Sequence, residues 1–295
     1  MATFVKKSIQ LLTIHPHNTT TAELHSYLLS AVAPRPIALA STIDEQGNPN
    51  LSPFSFFNVF SAKPPILIFS PARRVRDNTT KHTLENSKLT KEVVINVVNY
   101  DMVHQTSLSS TEYEKGVNEF DKAGFSMIES DLVKPFRVKE SPVQFECKVI
   151  EIKELGVDGG AGNLVICEVL CMHVSEAVLD SNQRIDQVKL DLVARAGGSF
   201  YSRAKDTFFE IPKPLQSKGI GVDKLPESVR ESHVLTGNDL GMLGNVDGLP
   251  NQADVDKFLR DNIGFIPQKL NEKHKFAQEF LKKNDVESAW KVLLS

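Results

Sequence analysis

Arg73, Arg74, Arg76 and Lys81 crowd the short stretch between Ser70 and Thr83, with Asp77 alone opposing them. Asn78, Thr79 and Thr80 follow, where the pattern predicts a helix over 79–86. Free N–H groups at a helix start, hydroxyl donors and cations together suit a phosphate. The same residues also suit a solvated basic loop, and the composition of the stretch leaves both readings open. Ser55-Phe56-Phe57-Asn58 forms a second constellation. A flat polar ring system needs apolar walls and a few fixed donors and acceptors at its edge, and this tetrad supplies both kinds. It equally describes a strand with core aromatics. A third stretch, Arg195-Ala196-Gly197-Gly198-Ser199-Phe200-Tyr201, has paired glycines that permit close backbone approach or a positive φ. Its plain alternative is a turn before a last strand.

Other chemistries leave no trace. No Ser-His-Asp, HExxH, Walker or GxGxxG pattern stands out, and the 8 histidines are scattered, His15 and His17 flanking Pro16. The 3 cysteines, Cys147, Cys167 and Cys171, form no CxxC pair and no even disulfide set. Cys167 and Cys171 lie in an apolar strand-like run and read as small buried thiols. Without an obvious protein nucleophile or metal site, redox chemistry would need a cofactor.

The elements that would position these residues are mostly strands. Met1–Thr13 reads as a short strand or arm. Thr20–Ser30 reads as a helix, with Glu23 three residues after Thr20 as in a capping box. Strands are predicted over 36–43, 50–61, 66–70 and 93–98, and residues 101–131 read as helical or irregular. In 50–61 the aromatics fall on both parities, so both faces of that strand should be covered. Strands 143–154 and 164–174 flank a glycine-rich tip and form a hairpin. Pro212 and Pro214 predict a stiff connector. Beyond it, helices are expected at 226–232, 253–262 and along 271–294. Hairpin-linked strands with inserted and appended helices favour a small antiparallel barrel over a parallel α/β fold.

The net charge of −3 over 295 residues implies no global pull toward nucleic acid or anionic membrane. The basic loop also lacks interleaved aromatics for stacking bases. No apolar run is long enough to span a membrane, and the N-terminus lacks a signal-peptide core and cleavage site, so the chain reads as cytoplasmic.

Several stretches, taken in order, resemble the flavin reductase-like family of FMN-binding split barrels, the group with the flavoredoxin-like proteins. They are Pro34-Arg35-Pro36-Ile37-Ala38-Leu39 with Ser41-Thr42, Asn50 through Asn58, and Ser61-Ala62-Lys63-Pro64-Pro65. Ser70-Pro71-Ala72-Arg73-Arg74, Lys81-His82-Thr83-Leu84 and Val94-Ile95-Asn96-Val97 continue the series. Glu140-Ser141-Pro142-Val143, Arg184-Ile185-Asp186 and Arg195 to Tyr201 complete it. The resemblance covers 20–203 and implies a mainly β, antiparallel Greek-key split barrel over 1–203. A partly helical C-terminal extension over 204–295 would pack on the barrel or dimer.

The resemblance also implies a homodimer with FMN near the subunit interface. By position, Ser55, Phe56, Phe57 and Asn58 would follow the isoalloxazine edge. Ser70, Arg73, Lys81 and Thr83 would lie near the phosphate, with Arg35 a further candidate. Arg195 to Tyr201 would close the site. The expected activity is an FMN-dependent oxidoreductase. NAD(P)H or a reduced partner would donate electrons, and a small molecule or protein would accept them. A non-catalytic FMN-binding electron carrier is the rival reading.

Overall fold

A computed structural model describes residues 10–211, 218–262 and 264–295. Most of the strand or arm expected at the N-terminus, and the Pro212–Pro214 connector, lie outside the described residues. The chain divides into two compact units, Met1–Phe208 and Phe209–Ser295.

The first unit opens with helix α1 (Thr21–Ala31), closed at its start by the expected capping box. The Thr20 hydroxyl accepts from Glu23 N at 3.2 Å, and the Glu23 carboxylate accepts from Thr20 N at 3.2 Å. Strands β1 (Ala38–Ile43), β2 (Pro49–Phe54), β3 (Phe57–Ala62) and β4 (Pro65–Phe69) follow, then α2 (His82–Thr90) and β5 (Glu92–Val97). Short helices α3 (Val103–Leu108) and α4 (Glu119–Ala123) and the small ribbon of β6 (Met127–Ile128) with β7 (Arg137–Val138) come next. The long hairpin β8 (Val143–Glu154) and β9 (Asn163–Val174), one turn of α5 (Gln187–Leu190), and β10 (Val193–Arg195) paired with β11 (Tyr201–Arg203) complete the unit.

Seven strands form one antiparallel sheet in the order β2-β1-β5-β8-β9-β4-β3. Its two edge strands, β2 and β3, are joined by Ser55 and Phe56 alone. Two residues reach only a few ångströms, so the sheet must curl until its edges meet. β2 and β3 do not pair there, which makes the barrel split. Its interior is one apolar cluster drawn from every wall, including Ala38, Phe54, Phe69, Ile95, Cys147 and Val165. Burial pushes the Cys147 thiol up to about 12 and keeps it inert. Cys167 is buried beside it, while Cys171 is only half-buried.

Helices α3 and α4 cover the outer side of β1 and β2 with a second cluster that includes Leu39, Leu51, Met102 and Phe120. The free edge of β2 is capped as well: Leu51 N donates to the buried Glu119 carboxylate at 3.0 Å. An edge strand with its open groups satisfied resists unwanted pairing.

Three details differ from the sequence expectations. The aromatic strand over 50–61 breaks in two at Ser55-Phe56, and β3 is exposed in the single chain, with Val59 64% and Phe60 63% accessible. Its second face is therefore not covered by the described residues of its own compact unit. Helix α2 starts at His82 because Asn78 takes a left-handed turn (φ 56°), and the Arg74 side chain donates to Thr79 Oγ1 and Thr80 O. The predicted 271–294 helix is two helices, interrupted by a left-handed turn at Asn284 (φ 58°).

The second unit contains α6 (Glu227–Arg230), α7 (Gly237–Gly244), α8 (Gln252–Asp261), α9 (Leu270–Leu281) and α10 (Val286–Leu293). Trp290 and Leu281 lie in its core. His274 is also buried there, its Nδ1 2.7 Å from the Ser232 hydroxyl. Among the described residues no helix is long and apolar enough to cross a membrane.

Candidate functional site

The packing of α3 over β1 and β2 leaves a hollow of about 380 Å³ at the split. That size lies within the range of small-molecule sites. Ile37, Pro53 and Ser55 form one wall, and Thr106, Ser107 and Ser110 of α3 and its following turn form another. Arg195, Ser199 and Tyr201 close the third side. The Arg195 guanidinium stacks 4.6 Å from the centre of the Tyr201 ring and donates to Gly198 O at 2.9 Å. Thr106 is 1% exposed, yet its hydroxyl has no hydrogen-bond partner among the described residues. A buried polar group left unpaired costs about 1–3 kcal/mol, and Thr106 lies in the α3 wall of this hollow.

A second, smaller and more polar hollow, about 20 Å³, shares no lining residue with the first. Ser52 and Ser109, neighbours of Pro53 and Ser110, line it together with Asn50, Arg74, Lys81, His82 and Thr83. Here the charges are mixed, Arg74 and Lys81 against Glu112 and Glu119, and partly desolvated. Burial, and then the nearby Arg74, lower the Lys81 ammonium from its ordinary range. Burial raises the Glu119 carboxyl. Thr83 Oγ1 is held by Asn50 Nδ2 at 2.9 Å, and no side chain caps the start of α2. Uncapped N–H groups beside two cations are the kind of group that favours an anion. Two carboxylates already answer those cations: Glu119 lines the hollow beside Lys81, and Glu112 accepts from Arg74 at 3.1 Å and pairs with Arg76. Those two bonds hold the Glu112 carboxyl below its usual range, Arg76 contributing first.

The predicted residues separate into three groups. Ser55, Arg195 and Tyr201 line the wide hollow, and Lys81 and Thr83 line the narrow one. Arg35 lies behind the wall and its donors are occupied: Leu29 O and Val32 O at the end of α1, Ala196 O, and Ser55 Oγ at 3.4 Å. It fixes the wall without facing the narrow hollow. Ser70 and Arg73 line neither hollow. Ser70 Oγ accepts from Asn163 N, and Arg73 folds onto Asn78. Phe57 packs into the barrel core, Asn58 is exposed on β3, and Phe56 meets His25 edge-on at 6.2 Å.

The model of the flavin reductase like domain matches residues 30–189. The chain belongs to the flavin reductase-like family. A protein of Aquifex aeolicus is 38% identical over 61% of this chain and 90% of its own. Among solved structures, nitrilotriacetate monooxygenase component B from Bacillus cereus is 26% identical with a TM-score of 0.64. It covers 69% of this chain and 100% of its own. A Shewanella frigidimarina structure assigned as a flavin reductase with a split barrel domain is 27% identical with a TM-score of 0.58, over 67% and 95% of the two chains. The split-barrel fold and a flavin-related oxidoreductase role follow from this membership.

A larger hollow, about 570 Å³, opens beside Trp290 in the helical unit. It lies outside the residues the family model matches, and no predicted site residue lines it. The groove along β2 is the better site on chemical grounds, because it combines a cationic end with an unpaired buried hydroxyl. Arg74 was read as part of the basic cluster but not placed at the phosphate, and Thr106 and Ser110 were not singled out from sequence. Arg74 differs from Arg73 only in which way the loop turns it. Thr106 and Ser110 sit in a stretch without clear periodicity, and only the docking of α3 onto β2 brings them to the site.

Proposed function

We propose that the β2 groove binds FMN, with the phosphate in the narrow basic end and the ring system in the wide hollow. The observation that carries this reading is the pair of hollows along β2. One gathers Arg74, Lys81 and the open start of α2, and the other gathers Ile37, Pro53 and Tyr201 among the hydroxyls of Ser55, Thr106 and Ser110. A bound flavin supplies two-electron chemistry that can be released in one-electron steps. The chain's own residues bind and orient. Arg74 and Lys81 neutralise the dianion, Thr106 and Ser55 offer hydroxyls at the ring's edge, and Arg195 on Tyr201 closes one side. NAD(P)H or a reduced partner would be the donor, and a small molecule or a protein the acceptor. Three cysteines without a disulfide fit a reducing compartment such as the cytoplasm.

We further propose that the working form is a homodimer. β3 leaves Val59 and Phe60 open, and α1 has no buried residue while Tyr27 and Leu28 are exposed. Apolar surface of this extent is costly in water, and a two-fold pair is the commonest way to cover it.

The visible spectrum of the purified protein, taken before and after anaerobic addition of NADH or NADPH, tests the reading. An oxidised-flavin band that bleaches with either donor supports it. A colourless protein whose apo form takes up no added FMN contradicts it.

A further inference from the structure

The basic loop that presents Arg74 is hydrogen-bonded within itself, and it is also held from outside. The tip between β8 and β9 lies against it. Arg73 N donates to Ala161 O at 2.8 Å, and Gly160 N donates back to Arg73 O at 2.9 Å. Asn78 Nδ2 donates to Val157 O at 3.0 Å, and Asn163 Nδ2 donates to Pro71 O at 2.8 Å. The loop is thus tied to the tip at its start, middle and end.

The approach is tight at Gly159. A Cβ on Gly159 would stand 3.0 Å from both Arg74 O and Val75 O and 3.1 Å from Val75 Cα. These are backbone atoms, which no side-chain rotation can clear. Gly160 has φ 95°, so a residue with a Cβ would also be strained there. Arg74 N in turn accepts its place in the loop by donating to Thr79 O at 2.9 Å, and its guanidinium reaches Thr79 Oγ1 and Thr80 O on the way to α2. A shift of the tip is therefore a shift of Arg74.

We infer that the glycine-rich β8–β9 tip is the positioning element for phosphate recognition, with Gly159 its central positioning residue. This rests on the phosphate reading of the narrow hollow. The tip touches the loop and not the wide hollow, so it acts on the phosphate and leaves the ring end unchanged. The protein's preference for FMN over riboflavin, which lacks the phosphate, measures that difference.

The test is fluorescence titration of full-length apoprotein with FMN and with riboflavin. Gly159→Ala is expected to weaken FMN binding about tenfold and to leave riboflavin within about twofold. Asn163→Ala removes one tie without adding bulk, is expected to act in the same direction, and decides the matter if Gly159→Ala does not fold. Gly241→Ala in α7, where a Cβ meets nothing within 4 Å, is the control and should change neither. Variants that keep the wild-type preference overturn the positioning role alone. Equal losses for both ligands also overturn it, since the tip would then be general scaffold. A wild type that binds FMN and riboflavin equally removes the phosphate reading itself and this inference with it.

Discussion

β2 and β3 are the two edges of one sheet, two residues apart in sequence, yet their surroundings differ completely. β2 carries α3 and α4 on its outer side, and Glu119 satisfies its open edge. β3 carries nothing on its outer side among the described residues of its own compact unit, and it is irregular between Val59 and Ser61. The covered strand makes a groove, because a helix laid over a curled edge cannot fill the corner where the sheet splits. The bare strand is the face on which the proposed dimer would form. The local β pattern is alike in the two; what differs is which of them the inserted helices reach.

The largest expected effect breaks the covered side. Leu51→Ala should lower stability by about 2–5 kcal/mol in chemical denaturation, since it empties a fully buried site under α4. A loss near zero would mean that α3 and α4 do not pack on β2. The bare side should respond in the opposite way. Phe60→Asp should leave the fold intact but raise the dimer dissociation constant about a hundredfold or more, because an unpaired charge would be buried on association. Light scattering at micromolar concentration reads this, and an unchanged dimer would put the interface elsewhere.

A smaller effect sharpens the account of the groove. Thr106→Val keeps the shape and removes the orphan hydroxyl. FMN binding should weaken about three- to tenfold, while the apoprotein becomes no less stable. Unchanged affinity would separate Thr106 from the ligand.

The smallest effect concerns pH. Glu119 has its folded pKa raised by burial, so the folded state holds its proton at a pH where the unfolded chain has released it. Stability should therefore fall as pH rises from the ordinary carboxylate range through the raised value. Glu119→Gln should flatten that slope in denaturation curves measured across the acid range. The same slope in both proteins would assign it to another group.

These contrasts also mark what could be read from the residues alone. The α1 capping box, the β8–β9 hairpin and the barrel's strands were legible, because each depends on neighbours in sequence. The α2 start was misplaced, because hydrogen bonds from Arg74 hold Thr79 and Thr80 in the loop. Ser55, Lys81, Thr83, Arg195 and Tyr201 were named from motifs and do line the groove. Thr106 was not, because its importance comes from the docking of α3. Arg73 and Arg74 are chemically identical and adjacent, so only the turn of the loop distinguishes the one that folds onto Asn78 from the one that faces Lys81.

That pair supplies the most direct test of the central claim. Arg73→Ala and Arg74→Ala should be titrated with FMN side by side. Arg74→Ala is expected to weaken binding about ten- to a hundredfold, the loss of one charge-assisted contact of roughly 1.5–3 kcal/mol, with Arg73→Ala staying within about twofold. The reverse order would move the phosphate to the other side of the loop, and two unchanged affinities would remove it from the groove altogether.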